Sequence, residues 1–217
     1  MHKAHLYVFD DMDSLTDDFV ESNRHRLPLF RREQCARYRR VSDQNANLLA
    51  YLLLMQGLRE QYHITEPVSF HYGTHGKPYL REHPGIFFNL SHCKAGVVCA
   101  LSTVEIGVDI QDIRSVDTAV LQRVCNEKEQ KQLAASADPE RLFIRLWTQK
   151  ESYAKAKGVS VASVLKTALP PEIFHSWQLP AYSLTLCHMG AVDTCIFPPL
   201  RLEILTECGL KGESGHR

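Results

Sequence analysis

Residues 138–158 read DPERLFIRLWTQKESYAKAKG and carry the start and stop signals of one long helix. Asp138 followed by Pro139 is typical of a helix N-terminus. Gly158 is typical of a helix end, and the basic residues before it suit the negative end of the helix dipole. We therefore expect a helix that begins at Pro139 and stops at Gly158.

One stripe of this helix combines three side chains of different chemistry. Trp147, Glu151 and Lys155 follow one another at i, i+4 and i+8, so they lie on the same side. An aromatic ring, a carboxylate and an ammonium in one line are suited to holding a metal and a phosphate together. The alternative is an exposed Glu-Lys pair with Trp147 in the core. Lys150 lies about 100° around the helix from Glu151, and we expect it to be a solvated lysine.

The rest of the chain predicts helices packed against antiparallel sheets, an α+β fold. A second long helix, apolar on most sides, is predicted over Gln44–Tyr62, and a helical pattern covers 118–135. Short apolar or alternating segments predict strands. These are 6–9, 68–72, 86–91, 95–102, 105–110 and the tail from Tyr182 through LRLEIL at 200–205.

The order strand, long helix, strands occurs twice along the chain. This predicts two similar α/β subdomains related by a pseudo-twofold axis, 1–103 and 104–217. The second would carry the metal site and the catalytic helix. A cleft between subdomains is a common place for a ligand.

The composition excludes several classes of protein. Lys+Arg and Asp+Glu balance at 25 each, so no overall field favours nucleic acid or a membrane. The run Arg37-Tyr-Arg-Arg40 suits a solvated face, or alternatively a small nucleic-acid patch. Seven scattered cysteines without a C-x-x-C pair indicate reduced thiols in the cytoplasm. The N-terminus has acids where a secretory signal needs an apolar run, and no segment approaches the length of a membrane span.

A possible metal ligand follows the apolar strand Ile106-Gly-Val-Asp109-Ile-Gln111. Strand alternation places Asp109 and Gln111 on one face, where two side-chain oxygens lie together. Magnesium prefers oxygen ligands and takes only one or two carboxylates from protein, so Asp109 with Glu151 meets that need. The alternative is an Asp109 that caps the following turn.

Phosphate-binding donors are predicted at Phe88-Asn-Leu-Ser91-His92, which offers an amide, a hydroxyl and an imidazole. Ser91 and His92 do not form a nucleophile-base pair, because adjacent residues on a strand point to opposite faces. The turn Gly76-Lys77-Pro78 adds another cation that can reach an anion.

The order of these motifs, G-K-P at 76–78, F-N-L-S-H at 88–92, G-V-D at 107–109 and W-x-x-K-E-x-x-x-K at 147–155, resembles the 4'-phosphopantetheinyl transferase superfamily. The length and the first two motifs resemble its longer, monomeric, surfactin-type branch, whose fold is two similar α/β halves. The resemblance covers about 37–158.

The resemblance implies roles for individual residues. Glu151 and Lys155 would be catalytic, and Asp109, Glu151 and Gln111 would hold Mg²⁺. The residues implied to bind coenzyme A are Lys77, Pro78, Ser91, His92, Arg37, Arg40 and Lys155. Many relatives have a second acid where this chain has Gln111, so the magnesium is expected to be held more weakly or to gain a water ligand.

The implied activity is transfer of the phosphopantetheine arm of coenzyme A to a serine of an apo acyl or peptidyl carrier protein, releasing 3',5'-adenosine bisphosphate. Such carriers serve fatty-acid, polyketide or nonribosomal-peptide synthesis. One alternative is a magnesium-dependent phosphohydrolase that attacks with water. The other is a non-catalytic module that binds coenzyme A or a carrier.

Overall fold

The computed structural model describes residues 2–16, 18–196, 198–202 and 205, and these form a mixed α+β fold, as predicted. The α-helices are α1 (Phe19–Asn23), α2 (Leu29–Ala36), α3 (Val41–Tyr62), α4 (Thr118–Val124), α5 (Glu127–Ala134) and α6 (Pro139–Lys157). The strands are β1 (His2–Phe9), β2 (Phe70–Tyr72), β3 (Pro78–Leu80), β4 (Phe87–Cys93), β5 (Gly96–Ser102), β6 (Ile106–Asp112), β7 (Phe174–Gln178), β8 (Tyr182–His188) and β9 (Val192–Ile196).

A four-stranded sheet with the order β4-β5-β1-β9 carries the long helix α3. Strand β1 is antiparallel to β5 and parallel to β9. The apolar residues of α3 lie on most of its sides, because α1 and α2 cover the side that faces away from the sheet. The predicted buried helix is therefore confirmed, with the main core beneath it.

A three-stranded antiparallel sheet with the order β6-β8-β7 carries α6. Helix α6 has the predicted ends: Asp138 accepts the amide of Arg141 at 3.0 Å, and Gly158 takes a left-handed conformation with a φ of 62°. Strand β6 is at the edge of this sheet, so one side of its backbone is not paired with a strand of the same sheet.

The edge strands β4 and β6 of the two sheets meet through side chains. The side-chain amide oxygen of Asn89 accepts the Val108 amide at 2.8 Å, and the Ser91 hydroxyl oxygen accepts the Ile110 amide at 3.4 Å. An apolar cluster drawn from β1, β5, β6 and β8 lies behind this junction. The pairing of β9 with β1 brings residues 192–196 into the sheet of the N-terminal half. The division into 1–103 and 104–217 and the pseudo-twofold relation stay predictions.

The sequence prediction differs from the structure in several local places, among them helices α1 and α2 and strand β3, which it did not include. The helical stretch 118–135 is two helices, because Asn126 restarts the chain with a capping box shared with Glu129. Leu202 and Leu205 are helical, so the prediction of strand over 200–205 is wrong there. Strand β7 was not predicted. The last twelve residues, 206–217, lie outside the described part of the chain.

Two further observations bear on the class of protein. No helix among the described residues has both the length and the apolar character that crossing a bilayer requires. Five cysteine side chains in the described part are free thiols, Cys35, Cys93, Cys99, Cys125 and Cys187.

Candidate active site

The candidate site centres on Asp109 of β6, a residue that is only 1% exposed. One carboxylate oxygen of Asp109 accepts the Ser91 hydroxyl at 2.8 Å and the Lys155 ammonium at 2.6 Å. Lys155 also donates to the Ser91 oxygen at 2.9 Å and to the Val108 carbonyl at 3.2 Å. Residues from β4, β6 and α6 thus form one hydrogen-bonded group.

Gln111 lies on the same face of β6 as Asp109, as strand alternation predicts. Its amide nitrogen donates to the other Asp109 carboxylate oxygen at 3.2 Å. Asp112 points away and accepts the amides of Lys94 and Ala95, at 3.3 and 2.8 Å. Gln111, and not Asp112, is therefore the neighbour that orients Asp109.

Glu151 lies one helical turn before Lys155, with its carboxylate partly buried. Burial raises the pKa of Glu151, the negative charge of Asp109 raises it further, and the Lys155 ammonium opposes both effects. The carboxylates of Asp109 and Glu151 repel each other beside the Lys155 ammonium. An additional cation would stabilise this arrangement.

His92 follows Ser91 but points to the opposite side of β4, as predicted for adjacent strand residues. It lines one cavity with Asp43 and another with Arg31. Loss of hydration lowers the pKa of the His92 imidazole, and the charge of Lys155 acts in the same direction. The imidazole is therefore held neutral more readily than a free histidine and is available as a hydrogen-bond donor.

Lys77 turns its ammonium into the protein. It pairs with Glu105 and donates to the Ala156 carbonyl at 2.7 Å, near the end of α6. Burial lowers the pKa of Lys77, and Glu105 opposes this effect. The stem of Lys77 and the adjacent Pro78 line a cavity of about 220 Å³ together with Lys155. The ion pair joins this loop to the residue before β6, and the hydrogen bond to Ala156 joins it to α6.

Arg31 of α2 is a buried cation that the sequence analysis missed. Its guanidinium donates to the Gln34 side chain at 2.5 Å and to the Asn47 carbonyl at 2.9 Å. It lines a cavity of about 210 Å³ with Pro78 and His92. The available signal was Arg31 and Cys35 at i and i+4 on the buried face of α2, but the sequence analysis identified no helix there.

Arg37 and Arg40 are both exposed in the stretch between α2 and α3. Neither lines the cavities that contain Lys155, Pro78 or His92. The structure therefore does not bring these two arginines together with the other predicted residues, and their role stays a prediction.

A larger cavity of about 510 Å³ opens on the other side of the group, beyond Gln111. Its walls are mostly apolar and come from the stretch after β6, from α4, from α6 and from the stretch that follows α6, with positive charge from Arg114 and Arg123 and negative charge from Asp117. Trp147, the aromatic member of the predicted stripe, forms part of the wall. We call this the Trp147 cavity.

The expectation of a solvated Lys150 is wrong. Its side chain is 1% exposed, and its ammonium is 2.9 Å from a carboxylate oxygen of Glu129. It also donates to the Thr167 carbonyl at 3.1 Å. The spacing along α6 correctly separates Lys150 from Glu151, but it does not reveal that α5 covers the side on which Lys150 lies.

Comparison with known proteins places this geometry in a family. The family sequence model of the 4'-phosphopantetheinyl transferase superfamily matches residues 105–187. These residues contain β6, α6 and the lining of the Trp147 cavity. The chain is 30% identical over 178 residues to 4'-phosphopantetheinyl transferase psf-1 of Bacillus pumilus, covering 72% of this chain and 76% of that protein.

Two other relatives match shorter parts. Identity to 4'-phosphopantetheinyl transferase Sfp of Bacillus subtilis is 30%, covering 59% of this chain and 58% of Sfp. Identity to 4'-phosphopantetheinyl transferase HetI of Nostoc sp. is 34%, again covering 59% and 58%. The chain therefore belongs to the 4'-phosphopantetheinyl transferase superfamily.

Proposed function

We propose that this chain transfers the 4'-phosphopantetheine group of coenzyme A to a serine of an apo acyl or peptidyl carrier protein, acting as a monomer. The observation that carries the proposal is the group formed by Asp109, Ser91 and Lys155 beside Glu151, with cavities on two sides. Such a group offers a cation, a hydroxyl and two carboxylates around one point, as phosphoryl transfer requires.

The donor set suits Mg²⁺. Asp109 and Glu151 supply two carboxylates, and Gln111 adds an amide oxygen, which together match the number of protein oxygens that magnesium usually takes. Burial and, after it, the charge of Asp109 raise the pKa of Glu151, and a divalent cation would offset both effects. When bound, Mg²⁺ would neutralise charge on the pyrophosphate oxygens.

Lys155 and Glu151 carry the chemistry that the chain itself supplies. The carrier serine oxygen forms a bond to the β-phosphorus of coenzyme A while the bond to the leaving phosphate oxygen breaks, which releases 3',5'-adenosine bisphosphate. Glu151 accepts the serine proton, and its raised pKa makes it a stronger base than an ordinary carboxylate. Lys155 stabilises the charge that develops on the phosphoryl oxygens.

The coenzyme A side is assigned to the cavities lined by Pro78, His92 and Arg31. These cavities adjoin one another through Gly76, Pro78 and Leu90, and Lys155 reaches the first of them. Arg31 and His92 supply donors for a phosphate at the second. We therefore assign a phosphate-binding role to Arg31, in addition to the residues predicted from the sequence.

The carrier side is assigned to the Trp147 cavity. The cavity begins at Gln111, directly beside Asp109, and lies away from the coenzyme A cavities. Its apolar walls suit an apolar side chain of a docked protein, while Arg114 and Arg123 suit acidic residues near the serine of the carrier.

The test is to mix the purified protein, coenzyme A, Mg²⁺ and a panel of apo carriers, and to weigh each carrier by mass spectrometry. We expect a gain of one phosphopantetheine, and its loss in Asp109→Asn and Glu151→Gln. Glu140→Gln, an exposed acid on the same helix, is the matched control and should transfer normally.

Other products would overturn the proposal. Cleavage of coenzyme A without a mass gain on any carrier would indicate the phosphohydrolase. Binding of coenzyme A with no product would indicate a non-catalytic module. Normal transfer by Asp109→Asn would refute the assignment of the site.

A further inference from the structure

Lys150 and Glu129 form a buried ion pair that the proposed chemistry does not use. The side chain of Lys150 is 1% exposed and that of Glu129 is 14% exposed, and their charged atoms are 2.9 Å apart. Neither residue lines the Trp147 cavity, although Lys150 lies on α6, which forms part of its wall. Burying a lysine costs free energy unless its partner and hydrogen bonds are fixed in place.

This pair joins three segments. Glu129 uses its second carboxylate oxygen to accept the Asn126 amide at 2.8 Å, which fixes the start of α5. Lys150 lies on α6, and its second hydrogen bond goes to the carbonyl of Thr167 at 3.1 Å. The neighbouring Lys166, with a φ of 61°, donates its amide to Val124 at the end of α4 at 2.9 Å.

The segment held in this way is a wall of the Trp147 cavity. Val161, Ala162 and Leu165 form that wall, and residues of α4 and α6 form the walls beside it. We infer that Lys150 is a positioning residue that, through Glu129 and Thr167, fixes the width of the Trp147 cavity and therefore the docking of the carrier. This inference rests on the proposed function.

The position of Lys150 on α6 separates this role from the coenzyme A side. It lies about 100° around the helix from Glu151, and neither it nor Glu129 is bonded to the group around Asp109. Loss of the pair should therefore move the wall at 161–167 while the contacts of Asp109 with Ser91 and Lys155 persist.

Three variants separate positioning from stability. Lys150→Met removes both hydrogen bonds of the ammonium and leaves Glu129 buried without its cation, which destabilises the fold. Glu129→Gln removes the charge but keeps an oxygen for the Asn126 amide, so it is the milder variant. The combination of Lys150→Met with Glu129→Gln removes both charges and should recover stability. Lys131→Met, an exposed lysine on α5, is the matched control.

The experiment measures the KM for the carrier, kcat, and the Kd for coenzyme A, below the unfolding temperature of each variant. For Lys150→Met and for the double variant we expect the carrier KM to rise about tenfold, with kcat and the coenzyme A Kd within about twofold of wild type. A carrier KM no higher than that of Lys131→Met, or a coenzyme A Kd that rises by the same factor, would overturn the inference. Recovery of the carrier KM in the double variant along with its stability would also overturn it.

Hydrogen exchange provides a readout that does not depend on transfer. In Lys150→Met, the amides of 161–167 should exchange faster while those of β6 stay unchanged. Unchanged exchange at 161–167 overturns the inference. If the wild-type protein modifies no carrier, the proposed function fails, and the exchange measurement still decides whether Lys150 holds the wall.

Discussion

Gly107 provides the sharpest test of how the fold positions the site. It lies on β6, two residues before Asp109, where the strand crosses the backbone of α6. A Cβ atom added at Gly107 would be 2.0 Å from the Ser152 carbonyl oxygen and 2.4 Å from the Ala156 amide nitrogen. Both are backbone atoms, which cannot rotate away. In Gly107→Ala, α6 and β6 must therefore separate by about 1 Å or more before ordinary contact is restored.

This separation acts directly on the site because Asp109 is on β6 whereas Glu151 and Lys155 are on α6. Overpacking of this kind costs about 1–3 kcal/mol of unfolding free energy, and a backbone clash belongs at the upper end. A displacement of about 1 Å between reacting groups can reduce the rate by roughly 100-fold. We expect Gly107→Ala to fold at low temperature and to lose about 100-fold in kcat, measured by carrier mass gain on protein shown by circular dichroism to be folded.

Gly57→Ala is the matched control. A Cβ atom there would be 2.1 Å from a Leu101 side-chain carbon and 2.8 Å from the Tyr7 ring, so it also overpacks, but in the core beneath α3. It should lower the unfolding temperature without moving β6 relative to α6, and its folded fraction should keep a nearly normal kcat. Equal losses of kcat in the two variants, or a normal kcat in Gly107→Ala, would refute the reasoning.

Three further perturbations test single residues. Arg31→Met should raise the Kd for coenzyme A, measured by calorimetry, about tenfold or more, because it removes a charged donor. If Arg31 contacts the 3'-phosphate, the Kd for 3'-dephospho-coenzyme A should change less, and equal changes in the two Kd values would refute that contact. Lys77→Met should lower the free energy of unfolding, measured in urea titrations, by about 1–3 kcal/mol, less than for a fully buried ion pair because the partly exposed Glu105 can be rehydrated. An unchanged urea midpoint would contradict the role of Lys77 in joining its loop to α6. Since the pKa of Glu151 is raised, protonation of Glu151 competes with cation binding above the usual carboxylate range, so the affinity for Mn²⁺ should fall as the pH drops on the acid side of neutrality. Glu151→Gln should bind Mn²⁺ weakly and without that pH dependence, and an identical pH dependence in the variant would assign the titration to another group.

The sequence predicts those parts of the site that depend on local spacing. Helix α6 follows from Asp138, Pro139 and Gly158 because helix ends are determined by the residues at those ends. The common face of Asp109 and Gln111 follows from strand alternation.

Contacts between distant segments are less accessible to such reasoning. Arg31 was missed because the apolar face of α2 is too short to give a clear period over its eight residues. Lys150 was placed in solvent because spacing along α6 gives the direction of a side chain but not which neighbouring helix lies there. The bond between Ser91 and Asp109 was not predicted, because it depends on how the edges of two sheets meet.

The contact between β4 and β6 explains why residues 89–91 of β4 have both a structural and a functional role. The amides of Val108 and Ile110 on the edge strand β6 need acceptors, and the side chains of Asn89 and Ser91 supply them at the junction. Because these two residues are separated by two positions, they face β6 together, and His92 necessarily faces the other way, towards the cavities. The Ser91 hydroxyl that accepts a hydrogen bond from the Ile110 amide also donates a hydrogen bond to Asp109. Joining the sheets and orienting the acid are therefore one set of contacts, so a change at Ser91 should disturb the position and the environment of Asp109 together.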